Sequence, residues 1–140
     1  MSFTKQLELA TLNLQNFSEE QVKGTIFKVI SLVVKRTPVD IGTARGNWQA
    51  TVNAPSVSPI SRIDREGGPT ISTAQKVLNQ MPLGSTFYLT NNLPYILTLE
   101  YGGYPNPPKG GQGKTINGFS RLAPQGMLRV TLSEVARALK

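Results

Sequence analysis

The sequence predicts an α+β fold: a small antiparallel sheet packed against a long helix in the N-terminal half and a C-terminal helix, with long Gly/Pro loops. Three observations predict it. Apolar residues recur at helical spacing over about 19–36, 70–81 and 125–140; two short stretches, near 44–52 and 86–90, have strand chemistry instead; and clusters of Gly and Pro separate them. A chain of 140 residues suits one domain spanning 1–140, with 54–69 and 103–124 as its long loops.

The first long helix is marked at both ends. Ser18 is a good N-cap, with Gln21 where a capping box needs Glu or Gln, and Phe17 and Val22 occupy the positions of a hydrophobic staple. Glu19 and Glu20 place negative charge in the first turn, and Lys35 and Arg36 place positive charge in the last. Val22, Ile26, Val29, Ile30 and Val33 form one apolar stripe, and Thr37-Pro38 stops the helix because a residue before Pro avoids helical angles. A shorter helical turn is expected at 4–10.

Residues 38–43 read as a turn. From Ala44 the period changes to two: Gly46, Trp48, Ala50 and Val52 fall on one face, Arg45, Asn47, Gln49 and Thr51 on the other. That predicts a half-buried strand anchored by Trp48. Residues 54–69 hold three prolines and Gly67-Gly68, which predicts a mobile loop. Ile71, Ala74, Val77, Leu78 and Met81 then give a helix over 70–81.

Thr86 to Thr90 is aromatic and branched, hence a second strand. Asn91-Asn92 turns the chain into a short helix over 94–101, with Pro94 in its first turn and Gly102 closing it. Residues 103–124 form an irregular segment rich in Pro and Gly. Leu128, Leu132, Val135 and Leu139 predict an amphipathic helix to the C-terminus. Two strands alone make a marginal sheet, so a third is expected, from the long loops or from a neighbouring subunit.

Composition narrows the chemistry. Without Cys there are no disulfides or thiolate sites; without His the commonest general base and metal ligand are missing. The charge of +7 suits attraction to a polyanion, but the basic residues are scattered from Lys5 to Lys140, which favours a solvated cationic surface. No apolar run approaches the length of a membrane span, and the first residues lack the apolar core of a signal peptide, so a cytoplasmic site of synthesis is expected.

The motifs that invite an enzymatic reading are weak. Gly110 to Thr115 is glycine-rich and ends in Lys-Thr, yet Pro108 stands where a phosphate loop needs its first Gly. Asp64 and Glu66 form an acidic pair, but Arg62 and Arg65 interleave with them, which reads as a solvated charge cluster. Tyr95, Tyr101 and Tyr104 near basic loops could stack bases, although core or interface anchoring is the commoner use. No catalytic, cofactor-binding or metal-binding residue is expected, and no cofactor.

Three stretches, taken together, carry a resemblance: VKRTPVDIGTARGNWQ at 34–49, YLTNNLPYILTLEYG at 88–102 and APQGMLRVT at 123–131. In these the chain resembles the neck and tail-completion proteins of tailed bacteriophages, where "T-P-V-D-T-G-x-A-R-x-N-W", "L-T-N-N-L-P-Y-x-x-x-L-E-Y-G" and "A-P-x-G-M-V-R" occur in this order. Ile41 replaces the usual Thr of the first motif, and the segment from Gly103 to Leu122 is longer than the family pattern suggests.

The resemblance implies a structural virion protein, not an enzyme, forming a ring (a hexamer) at the head–tail joint. The partners implied are further copies of the chain and neighbouring neck and tail proteins. DNA lies nearby in the channel, no membrane is involved, and assembly takes place in the host cytoplasm. The nearest alternative is a tail-terminator or head-closure ring; a basic nucleic-acid-binding protein and a small enzyme are rivals from other classes. The fold and interface signature carried over is Pro38, Asp40, Gly42, Arg45, Trp48, Asn91, Asn92, Pro94, Tyr95, Glu100, Tyr101 and Gly102. Within it, Pro38 and Gly42 are expected to set a turn that delivers Arg45 and Trp48, Asn91, Asn92 and Pro94 to set the entry of the short helix, and Arg45 to pair with Glu100.

Overall fold

A computed structural model describes residues 17–39, 41–103, 115–116, 118–120 and 123–139. The expected turn at 4–10, Asp40, Tyr104 and most of the glycine-rich segment around Gly110 lie outside them.

Helix α1, Glu19–Arg36, begins as its sequence requires. The Ser18 hydroxyl accepts the Gln21 N–H at 3.2 Å, and the Gln21 side chain accepts the Ser18 N–H at 2.9 Å. At the other end the Thr37 N–H closes onto the Val33 and Val34 carbonyls, and its hydroxyl donates to the Val33 carbonyl at 2.7 Å. Val29, Ile30, Val33 and Val34 are buried, which makes α1 the spine of the core.

The strand expected from Ala44 begins later. Thr43–Gly46 forms a single helical turn, α2, and strand β1 is only Gln49–Val52. The alternating pattern misleads here because Gly42, at φ 99°, turns the chain and accepts the Gly46 N–H at 3.0 Å, which starts a helical turn before any strand pairing exists. Trp48 is fully buried just ahead of β1, so its anchoring role stands.

Helix α3, Gly68–Gln80, buries Thr70, Ala74 and Leu78 and packs between α1 and β1. Strand β2, Phe87–Thr90, pairs antiparallel with β1 in the register Gln49↔Thr90 to Val52↔Phe87. Ala50, Val52, Phe87 and Leu89 pack on the hydrophobic core, so Gln49, Thr51, Tyr88 and Thr90 lie on the opposite face of the sheet, where Thr90 is nonetheless buried. The short helix α4 is Ile96–Tyr101, closed by the Gly102 N–H on the Thr98 carbonyl at 2.8 Å. Helix α5, Leu128–Ala138, packs on α1.

The 103–124 segment does contain strands. Thr115–Ile116 (β3) and Phe119–Ser120 (β4) pair with each other, however, and add nothing to β1–β2. The result is an α+β fold in which a two-stranded sheet is covered on one face by helices, with α1 flanked by α3 and α5.

Candidate assembly surface and the joints behind it

Each of the three motifs ends in a buried polar joint. In the first, the Trp48 indole N–H donates to the Thr37 hydroxyl at 2.7 Å and ties the strand entry to the end of α1. Arg45 spreads its guanidinium over three carbonyls: Arg65 at 2.7 Å, and Lys35 and Thr37 both at 2.9 Å. Burial lowers the Arg45 pKa, and the nearby negative charge of Asp64 opposes that shift.

The expected solvated charge cluster is corrected at Asp64, while Glu66 is exposed as expected. Asp64 is buried and accepts the Gly67 N–H at 2.7 Å, the Thr70 N–H at 2.9 Å and the Thr70 hydroxyl at 2.6 Å. It thereby caps α3, whose N-cap position is Gly67 and has no side chain to do so. Burial pushes the Asp64 carboxyl up, but the hydrogen bonds from Thr70, Gly67 and Glu66 outweigh it and leave the pKa below the ordinary carboxylate value. The signal available in the sequence was a helix start with Gly-Gly-Pro and no capping residue, which obliges the capper to lie upstream.

The 54–69 segment is a pinned strap along most of its length. Arg62 donates to the Gly46 carbonyl at 2.9 Å and the Trp48 carbonyl at 2.8 Å, the Ile60 N–H donates to Asn47 at 2.8 Å, and Gln49 donates to the Ser58 carbonyl at 2.8 Å. Gly46 leaves no room for a Cβ, because the Arg62 carbonyl occupies that space.

Asn91 and Asn92, both buried, bind the second motif to these pieces. Asn91 donates to the Ala44 carbonyl at 2.9 Å and accepts the Leu93 N–H at 3.3 Å; Asn92 donates to the Ser56 carbonyl at 3.0 Å. Among the described residues the buried oxygens Thr51 Oγ1, Thr90 Oγ1 and Asn92 Oδ1 have no hydrogen-bond partner.

The expected Arg45–Glu100 pair is not formed. Glu100 is 1 % exposed and sits at the amino end of α5. Its carboxylate accepts the Met127, Leu128 and Arg129 N–H groups at 3.1, 2.7 and 3.1 Å and the Arg129 side chain at 3.0 Å. The acid therefore joins the second motif to the third, while Arg45, saturated by carbonyls, serves the first.

Several apolar and aromatic residues of these segments turn outward, beside exposed Lys35, Arg65, Glu66 and Arg129. Pro94 is exposed; Tyr95 and Tyr101 are 42 % and 44 % exposed, and Arg129 stacks over the Tyr101 ring at 4.3 Å. Ile41, Val57, Ile60 and Ile63 also turn out, at 58, 64, 36 and 62 % exposure. Of the expected signature, then, Gly42, Arg45, Trp48, Asn91, Asn92 and Glu100 stand in internal joints, Pro38 is half-buried after α1, Gly102 turns the chain at φ 82°, and Pro94, Tyr95 and Tyr101 face out. Sequence reasoning missed Asp64, Arg62, Asn47 and Arg129.

Among the described residues no helix is long and apolar enough to cross a membrane, and no group of three acidic, His or Cys side chains could hold a metal ion. No protein-family model, curated protein or solved structure matches this chain.

Proposed function

We propose that this chain is a non-enzymatic virion subunit that forms a hexameric ring at the head–tail joint of a tailed phage, as a neck or tail-completion protein. The observation that carries the reading is the ordered series of three motifs at 34–49, 88–102 and 123–131. The geometry supports it in one respect: buried polar residues of these motifs are engaged in internal joints, as a scaffold uses them, and apolar side chains such as Ile41, Tyr95 and Tyr101 are left outward beside them. A tail-terminator or head-closure ring would use the same parts and is the nearest alternative within the class.

Exposed Lys28, Lys35, Arg65 and Lys76 keep a nucleic-acid-binding reading in play. The mass of the purified protein in solution, with imaging of any particles, tests the first reading. A closed ring of identical copies supports it. A monomer that binds DNA with a steep salt dependence favours the second.

A further inference from the structure

The paired strands of a two-stranded sheet use only half of their backbone groups on each other. Here the Asn53 N–H donates to the Thr86 carbonyl at 2.8 Å, which fixes the alternation: the pairs Thr51–Tyr88 and Gln49–Thr90 exchange hydrogen bonds, and the backbone groups of Phe87 and Leu89 point out from the β2 edge. Among the described residues nothing pairs with that edge. It also lacks the usual protection, since Ser85 to Thr90 contains no Lys, no Pro and no other charge.

The second unmatched surface is the strap. Val57, Ile60 and Ile63 recur every third residue and are all exposed, and the Asp64 N–H on the Gly42 carbonyl (3.0 Å) brings the equally exposed Ile41 beside Ile63. The inward groups of the strap (the Arg62 guanidinium, the Ile60 N–H, the Ser56 and Ser58 carbonyls) are already bonded. Its outward side is a row of branched aliphatic side chains.

Charge selects the occupant. No charged residue occurs from Gly46 to Ser61 or from Val77 to Leu99, the two stretches that build the sheet and the first half of the strap; in its second half Arg62 is bonded inward, Asp64 is buried, and exposed Arg65 and Glu66 are of opposite sign. A basic chain of net charge +7 repels its own copies elsewhere, and an acidic partner would seek its lysines, not this neutral side. Identical copies approach here without that penalty.

We infer that copies of this chain join head to tail, the strap row of one copy (Val57, Ile60, Ile63) lying along the bare β2 edge (Phe87 to Leu89) of the next. Two different surfaces meet, so the contact is heterologous and can close into a ring; a β2-to-β2 contact would stop at a dimer. Pro55 and Pro59 lack N–H groups, so the strap docks through its side chains and remaining peptide groups and does not build a full ladder. The contact rests on the ring reading above and names the surfaces that would form it.

The chain has no Cys, so two introduced thiols report contacts without interference. Val57 and Thr86 are both exposed, and substitution to Cys leaves the core intact. A mixture of Val57→Cys and Thr86→Cys copies, oxidised while assembled, is expected to link one to the other, and the double variant to give a ladder of covalent multimers. Val57→Asp with Ile63→Asp is expected to raise the concentration for half-assembly by at least about tenfold with an unchanged circular-dichroism melt. Links between Thr86→Cys copies alone would overturn the inference in favour of a two-fold dimer. A ring that forms without either link would overturn this contact and leave the ring standing. A monomer at every concentration, or a disulfide closed within one copy of the double variant, would also overturn it.

Discussion

Arg129 holds Glu100 from two sides: its Nε donates to the carboxylate at 3.0 Å and its Nη2 to the Glu100 main-chain carbonyl at 2.6 Å, while the same carboxylate takes the first N–H groups of α5. The charge is buried, yet its oxygens meet donors from both the backbone and the guanidinium. One acid at the end of α4 thus starts a helix that begins 28 residues later.

Removing that acid strands the amino end of α5. Glu100→Ala is expected to cost about 3 kcal/mol, because a buried charge-assisted set of hydrogen bonds is lost and three N–H groups are left dry. Arg129→Ala should cost less, about 1 kcal/mol, since its side chain is 44 % exposed. Urea midpoints of the two single variants and the double variant should be non-additive, whereas Arg45→Ala with Glu100→Ala should add within about 0.5 kcal/mol.

Asp64 sets an acid limit. Its folded pKa lies below the ordinary value, so the stability it supplies is present above the unfolded carboxylate pKa and is lost as pH falls through the folded one. Melting temperature should therefore drop on acidification below about pH 4. Asp64→Asn should lower the melt at pH 7 and flatten this part of the pH profile; a profile identical to the parent would remove Asp64 as the cause.

The glycines divide by what surrounds them. Gly46→Ala should cost about 2 kcal/mol or more, because the new methyl meets the Arg62 carbonyl. Gly126→Ala should be at least as costly, since φ is 81° and the methyl would press on Glu100. Gly24 lies mid-helix in α1 with open space around it, so Gly24→Ala should stabilise by about 0.5–1 kcal/mol. Chemical denaturation of the three variants checks the opposite signs.

Thr37 is the partner of the only tryptophan. Thr37→Val keeps the shape but leaves the Trp48 indole N–H buried without an acceptor, for a loss of about 1–3 kcal/mol. Trp48 fluorescence follows the unfolding directly. Thr37→Ser, which retains the hydroxyl, should recover much of the loss.

Local physics determined much of this protein from the sequence alone. The Ser18–Gln21 box, the charges at both ends of α1 and the Thr37-Pro38 stop act over one or two turns, so residues near in the chain suffice to specify them. The α+β fold followed from the same short-range periods. Tertiary structure decided the rest, because the deciding partners are distant in the chain. Alternation from Ala44 to Val52 looked like one strand until Gly42 diverted its first half into a helical turn. Arg45 and Glu100 seemed a natural pair by charge, but carbonyls claimed one and a helix terminus the other. Asp64 looked solvated beside two arginines, and became a buried cap because α3 begins with glycines that cannot cap it. A buried charge goes where donors are densest, and only the folded chain fixes where that is.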